Sequence, residues 1–201
     1  MGRLVATIEH DDNIDHEVVL RDQINRALGD LHTIDDHVFA SQRTSADQIE
    51  HEVRSRLLRE HHDFSPPSGS RQPADVRWRR FHINIKSMDL ARSFHMPNLV
   101  SADSLWRLLE RGDHFMLLRL AHRNGKIENW DFWNIQDISW QHLTLGALGA
   151  GQIQIKNALL PLTAHQGSRD TWRQQWRERM IEFYEHERVK TDKRMIKWSN
   201  R

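Results

Sequence analysis

The stretch that decides the fold is Pro73-Ala74-Asp75 together with Phe81-His82-Ile83-Asn84-Ile85-Lys86. The second segment alternates apolar and polar residues, as a strand with one buried face does. Its apolar residues would face the core, and its polar residues, which end in Lys86, would face the other way. The pattern predicts a short hairpin that carries Asp75 on its first strand, beside an amide and a lysine on its second.

Such a cluster suits the chemistry of magnesium-dependent phosphodiester hydrolysis. A carboxylate such as that of Asp75 can hold a hard cation, and an ammonium group such as that of Lys86 can steady a water molecule and a charged phosphate. The same residues also have a structural interpretation. Asp75 could close a turn, and Lys86 could be a solvated edge lysine that opposes aggregation.

The composition narrows the class of protein. The chain has 201 residues, a net charge of +1 and 28% charged residues, so any positive surface for nucleic acid would have to be sorted onto one face. It has no cysteine, which excludes disulfides and thiolate metal sites and fits the cytoplasm. No apolar run approaches the length of a membrane span, and the N-terminus lacks a signal-peptide core. We therefore expect a cytoplasmic protein with no membrane association.

Periodicity and turn signals outline the elements. Helical spacing of apolar residues predicts helices, alternation and short apolar runs predict strands, and 140–148 is compatible with either. This order favours an α/β or α+β fold with a central mixed sheet flanked by helices. The predicted helices cover 14–29, 45–62, 101–110 and 168–189; the predicted strands lie in 75–90, 114–121, 127–138 and 152–157.

The length fits one domain over residues 1–201. Residues 1–44 would form a helical N-terminal arm, and residues 168–201 a C-terminal helix with a basic tail. Arginines and glutamates alternate in that helix up to about residue 188, which is typical of a salt-bridged outer face. Residues 188–201 are more cationic and are a candidate for phosphate contact.

Asp75, followed after eight intervening residues by Asn84-Ile85-Lys86, resembles the motif of the PD-(D/E)XK nuclease superfamily. More narrowly, the segment resembles type II restriction endonucleases whose lysine strand contains Ile-Asn-Ile-Lys, so a restriction-endonuclease-like fold is implied. The resemblance covers roughly residues 45–157 and is specific around 73–86. It implies that Asp75 binds Mg²⁺ and that Lys86 orients the attacking water.

Asn84 departs from the family pattern, because most members have Asp or Glu at this position. An amide oxygen can ligate Mg²⁺ but contributes no charge, so another carboxylate is needed for a tight site. Family members often place a glutamate on the helix before the hairpin. Glu50 is the first candidate, ahead of Glu52 and Glu60. The backbone carbonyl of Ile85 could also reach the ion.

A later strand could contact DNA. The phrase Gly-Gln-Ile-Gln-Ile-Lys-Asn at 151–157 resembles a strand of the same enzymes, and Gln and Asn can bond adenine bidentately in the major groove. The alternative is an amphipathic strand with its polar residues in water. The predicted DNA-binding residues are Asn98, Gln152, Gln154, Lys156 and Asn157.

The sequence therefore predicts a sequence-specific double-stranded DNA endonuclease of restriction type. Such an enzyme would require Mg²⁺, leave 5′ phosphates, act as a homodimer and have a companion DNA methyltransferase encoded nearby. A non-catalytic DNA-binding protein with a degenerate nuclease fold is the alternative, which Asn84 keeps open. A repair-type or structure-selective nuclease of the same fold is a third possibility.

Overall fold

A computed structural model describes residues 9–29, 45–60, 62–67, 69, 74–124, 126–146 and 151–199. Within these ranges the chain forms α-helices at both ends and strands between them. Pro73 and the side chain of Glu60 lie outside the described part of the chain. The helices are α1 (Glu9–Leu28), α2 (Ser45–Glu60), α3 (Ala102–Glu110) and α4 (Arg169–Ser199).

The strands form two sheets. Five strands make a mixed sheet in the order β1-β2-β3-β5-β6, in which β3 and β5 are parallel and the other neighbours are antiparallel. Three strands make an antiparallel sheet in the order β4-β8-β7. The strands are β1 (Phe64–Ser65), β2 (Val76–Trp78), β3 (Phe81–Asp89), β4 (Asn98–Ser101), β5 (His114–Arg123), β6 (Lys126–Asn134), β7 (Leu143–Gly146) and β8 (Gln152–Ile155).

The five-stranded sheet separates two apolar cores. On one face, Ile83 and Ile85 of β3 pack in a cluster with Ile49 and Val53 of α2 and with residues of α1. On the opposite face, residues of β5 pack in a cluster with α3, the three-stranded sheet and α4. The sheet is thus buried on both sides, as expected where parallel strands need a crossover connection. The α+β fold class predicted from the sequence is confirmed, with helices flanking a mixed sheet.

The predicted hairpin is present as β2 and β3, but Asp75 lies just before β2 rather than on it, because β2 begins at Val76. Val76 pairs with Ile83 and Trp78 pairs with Phe81, and Arg79 takes a positive φ of 51° in the turn between them. Asn124, which follows β5, has a φ of 49° that asparagine tolerates better than most residues. Residues 143–146, for which the sequence left helix and strand open, are strand β7.

The C-terminal helix is longer than its periodicity predicts. It continues to Ser199, ten residues beyond the expected end at 189, so the described part of the basic segment is helical rather than an irregular tail. Trp172 and Trp176 are buried and belong to the core beside α3. None of the helices in the described ranges is long and apolar enough to cross a membrane.

Candidate active site

The candidate site lies beside β3, just beyond the pair of Val76 and Ile83 at which the pairing of β2 with β3 ends. The backbone N–H of Asp75 still donates to the carbonyl of Ile83 at 2.9 Å, which continues the ladder by one bond. Beyond this point the side chain of Asp75 replaces the missing strand, and its Oδ2 accepts from the N–H of Ile85 at 2.7 Å. The carboxylate of Asp75 is thereby fixed at the edge of β3.

Glu50 reaches the same edge from α2. Its neighbours Ile49 and Val53 are buried in the core, which places Glu50 beside the buried stripe of the helix. Its Oε1 accepts from the N–H of Ser87 at 2.9 Å, and its Oε2 lies 3.5 Å from Nζ of Lys86. The contacts of Glu50 with Ser87 and Lys86 therefore join α2 to the same edge of β3 that Asp75 occupies.

Lys86 and Glu50 are both largely shielded from water. The exposed fraction of the side chain is 18% for Lys86 and 24% for Glu50. Because an ion pair loses less of its strength to solvent when it is partly buried, their contact holds the ammonium group in a defined place. Asn84, two residues before Lys86 on the same face of β3, is buried with 6% of its surface exposed.

The electrostatics of Glu50 reflect this enclosure. Burial of the carboxyl group raises the pKa of Glu50 above its ordinary value, and the charge of Asp75 adds to the increase. The charge of Lys86 and the hydrogen bond from Ser87 lower the pKa but do not cancel the effect of burial. A cation bound beside Glu50 would offset the cost of holding its buried carboxylate in the charged form.

The available oxygen ligands fit Mg²⁺, which prefers carboxylates, carbonyls and water. Asp75 and Glu50 supply two carboxylates. The N–H of Ile85 points to the β2 side of β3, and the carbonyl of a strand residue points to the same side as its N–H, so the Ile85 carbonyl faces this edge as well. Within the described residues, no group of three or more His, Cys, Asp or Glu side chains is placed to hold a metal ion. A magnesium site here would need the carbonyl and water in addition to the two acids.

The other predicted glutamates lie differently. Glu52 makes an ion pair with Arg59 at 3.3 Å on the outer side of α2. The side chain of Glu60 falls outside the described residues. Of the three glutamates considered from the sequence, Glu50 is the one for which the structure shows a bond to β3.

The predicted DNA-binding residues are brought together on β4, β8 and the segment that follows. The side chains of Asn98 and Gln154 bond to each other at 2.5 Å, and Gln154 is buried, with 9% of its surface exposed. Gln152 is half-buried and Lys156 is exposed. Asn157 Oδ1 accepts from the N–H groups of His95 and Leu159 and so shapes the loop before β4. Contact of these five residues with DNA bases stays a prediction. The side-chain amides of Asn98 and Gln154 already bond to each other, and the side-chain oxygen of Asn157 already accepts hydrogen bonds within the protein.

Two charged features near the site were missed from the sequence. Arg119 lies opposite Lys86 in the parallel pair and is buried, where it bonds to Asp131 and to the carbonyl of Ala158. In the sequence Arg119 is a charged residue within the apolar run 114–121. Its partner Asp131 lies twelve positions later. Burial, the charge of Arg92 and the charge of Lys86 lower the pKa of His95, which places this histidine within electrostatic reach of Lys86. Nothing in the local sequence around His95 signals that proximity.

No protein-family model matches this chain. No curated protein matches it either.

Proposed function

We propose that the protein is a magnesium-dependent endonuclease of restriction type that cuts double-stranded DNA at a specific sequence and leaves 5′ phosphates. The observation that carries the proposal is the meeting of Asp75, Glu50 and Lys86 at the edge of β3. These residues come from three separate elements, and their chemistry is the one that the resemblance implies for the catalytic centre.

Each residue would have a defined task. Asp75, Glu50 and the Ile85 carbonyl would hold the metal, with Asn84 close by as an uncharged group. When bound, Mg²⁺ would polarise the phosphate and lower the pKa of a bound water. Lys86 would orient the attacking water and offset the negative charge that develops on the phosphate in the transition state. The ion pair with Glu50 keeps the Lys86 ammonium near the metal ligands before substrate binds.

The proposal extends to partners that the structure does not test. A homodimer would match the two strands of a palindromic site, and a companion methyltransferase would protect the host DNA. Action on DNA inside the cell implies a cytoplasmic location. Base contacts are proposed for the polar residues of β4 and the 152–157 segment, of which Lys156 is the most exposed.

A non-catalytic DNA-binding protein remains the second candidate. Asn84 stands where most members of the similar family have an acid, so the site has one negative charge fewer for a cation. Both oxygens of Glu50 are also engaged within the protein, by Ser87 and Lys86. A chain that had lost catalysis could keep this arrangement as a structural clamp.

The first experiment separates these candidates. The purified protein is incubated with phage DNA with and without Mg²⁺, and the products are resolved on a gel. Discrete bands that require Mg²⁺ support the endonuclease. Intact DNA that shifts in a binding assay supports the non-catalytic candidate, and cutting without sequence preference favours a repair-type nuclease.

Lys86→Ala then tests the assignment of the site. We expect cleavage to fall at least about a hundredfold while specific DNA binding is retained, because the lysine acts on the reacting groups. Lys126→Ala, which removes an exposed lysine on β6, is the matched control and should cut like the wild type. Loss of binding together with cleavage in Lys86→Ala would instead mark the lysine as structural.

A further inference from the structure

The outer part of α4 carries large apolar residues that are more than a third exposed. The helix is anchored by Trp172 and Trp176, and from Ile181 onward most of its residues are exposed. Ile181, Tyr184, Met195 and Trp198 have exposed fractions of 60%, 47%, 56% and 67%. Large exposed apolar side chains grouped on one element indicate an interaction surface.

The spacing of these four residues follows a heptad, whereas the exposed residues Val189 and Ile196 lie beside that row. Steps of three and four residues place the four in one row along the helix, with polar residues in the middle of the row. We name this row the α4 seam. It consists of Ile181, Tyr184, Arg188, Thr191, Met195 and Trp198.

We propose that the α4 seam binds the same seam of a second copy of this chain, with the two helices antiparallel. In this arrangement Ile181 faces Trp198 of the second copy, Tyr184 faces Met195, and Arg188 faces Thr191. The seam reads the same from either copy, as a two-fold symmetric interface requires. The paired length from Ile181 to Trp198 is about 26 Å at the rise of an α-helix. This inference does not rest on the proposed nuclease activity.

Charge distribution selects the antiparallel orientation. The segment 178–187 contains four glutamates, whereas 188–199 contains five lysines and arginines and one aspartate. Arg179 within the acidic segment and Arg177 just before it lie against the body of the protein, over the rings of Trp140 and Trp106 respectively. Antiparallel helices place the basic segment of one copy beside the acidic segment of the other, whereas parallel helices place like charges side by side.

Of the two flanking positions, one opposes the antiparallel pair, because Glu185 and Asp192 would meet there, and the other favours it. Glu187 and Arg194 occupy the same flanking position of successive heptads, so each meets the other across an antiparallel pair. In a parallel pair Glu187 would instead approach Asp192. Polar residues at the centre of a helical seam fix the register, which is the role assigned here to Arg188 and Thr191.

The shape of the protein accommodates the second helix. A largely apolar groove of about 390 Å³ lies between α3 and α4, and its lining includes Trp106, Met180, Ile181 and Tyr184. Because Trp198 of the second copy faces Ile181, its indole lies at the mouth of this groove. In the antiparallel arrangement the two anchored ends of α4, at Trp172 and Trp176, lie at opposite ends of the helix pair.

The test measures the mass of the full chain in solution. Sedimentation equilibrium of the wild type at micromolar concentration should give twice the 23.9 kDa chain mass. Met195→Glu should raise the dissociation constant of the dimer about tenfold or more, because it buries a charge opposite Tyr184. Ile196→Glu is the matched control: it introduces the same charge at an adjacent exposed residue that lies off the seam, and it should leave the dimer intact.

Three outcomes would overturn the proposal. They are a monomeric wild type, equal dissociation in the two variants, and no effect of Met195→Glu. Circular dichroism of both variants verifies that the helix is retained. If the wild type is monomeric and both variants weaken DNA binding, the basic segment serves DNA rather than a second copy.

Orientation can be tested separately because the chain has no cysteine. Oxidation of a mixture of Tyr184→Cys and Met195→Cys should give a crosslinked dimer, whereas each variant alone should stay uncrosslinked. Efficient crosslinking of either variant with itself would contradict the antiparallel arrangement.

Discussion

At the scale of single residues, the site depends on two carboxylates that accept hydrogen bonds from β3 where β2 no longer pairs with it. Asp75 and Glu50 accept from the N–H groups of Ile85 and Ser87, which would otherwise be open on the β2 side of β3. The second oxygen of Glu50 lies 3.5 Å from Nζ of Lys86. One set of groups thus satisfies the backbone and supplies the proposed chemistry.

Glu50→Gln should separate stability from metal binding. Since burial raises the pKa of Glu50, the ionised carboxylate costs stability once the pH rises through that pKa, and the cost is absent below the pKa of the unfolded chain. The amide can still accept from Ser87, so we expect Glu50→Gln to be more stable than the wild type at pH 8 without divalent cations. This advantage should shrink toward pH 4.

Addition of Mg²⁺ should make the wild type more stable than Glu50→Gln. The wild type should gain about 2.7 kcal/mol at a Mg²⁺ concentration one hundred times its dissociation constant, and Glu50→Gln should gain much less. Thermal and urea unfolding with and without Mg²⁺ measure both effects. Glu52→Gln, on the same helix but paired with Arg59, serves as the control and should respond to Mg²⁺ like the wild type. An equal Mg²⁺ response in Glu50→Gln would remove Glu50 from the metal site.

At the scale of elements, the parallel pair of β3 and β5 carries the site on a rigid base. Nine residues of β3 pair with β5, and both strands are buried on their two faces along most of their length. His114 begins β5, pairs with Phe81, and stacks on its ring with 4.7 Å between ring centroids. No described residue bonds to the ring nitrogens of His114, so this histidine acts as an apolar filler.

The burial of His114 predicts acid sensitivity. Burial, with a further contribution from the charge of Arg169, lowers the pKa of His114 to about 4. The unfolded chain takes up a proton near the ordinary histidine pKa while the folded chain does not, so stability is lost as the pH falls from about 6.5 to 4. The full loss from this residue is about 3 kcal/mol.

His114→Phe should reduce the loss of stability that accompanies the fall in pH. Urea unfolding at several pH values between 7 and 4 measures it, and His51→Phe, at an exposed position on α2, is the control. If the acid dependence of His114→Phe equals that of the wild type, proton uptake at other groups accounts for the loss.

At the scale of the whole molecule, the charge is nearly balanced but unevenly distributed. The net charge is +1, while 188–199 forms a basic stretch at the exposed end of α4. A protein of this kind would bind DNA through local patches rather than through overall charge. The two cores on opposite faces of the five-stranded sheet leave the edge of β3 and the outer half of α4 as separate surfaces.

DNA binding should therefore weaken steeply with salt. The logarithm of the binding constant should fall with the logarithm of salt concentration with a slope of roughly 0.9 per phosphate contact. Fluorescence anisotropy with a labelled duplex, recorded at several salt concentrations, measures the slope. A flat response would contradict phosphate contacts and would count against both DNA-binding candidates.

The sequence by itself determined the local parts of this protein. Alternation in 81–86 identified Phe81, Ile83 and Ile85 as one face of β3, and periodicity identified the helices and their order, because these signals depend on neighbours a few residues apart. The alternation did not show that His82 and Asn84 on the other face are buried as well. The sequence also indicated Asp75 and Lys86, since a hairpin keeps its two strands together. The 3.6-residue stripe placed Glu50 beside buried residues of α2 but did not say which strand edge that helix would meet.

Tertiary structure decided the rest. The contact of Glu50 with Ser87 spans 37 positions and depends on how α2 packs on the sheet. The bond between Asn98 and Gln154 spans 56 positions and depends on the pairing of β4 with β8. Such contacts follow from the packing of whole elements, which no local pattern encodes. The extension of α4 to Ser199 also escaped the sequence, because charged residues separate the apolar residues beyond 188 and hide their helical spacing.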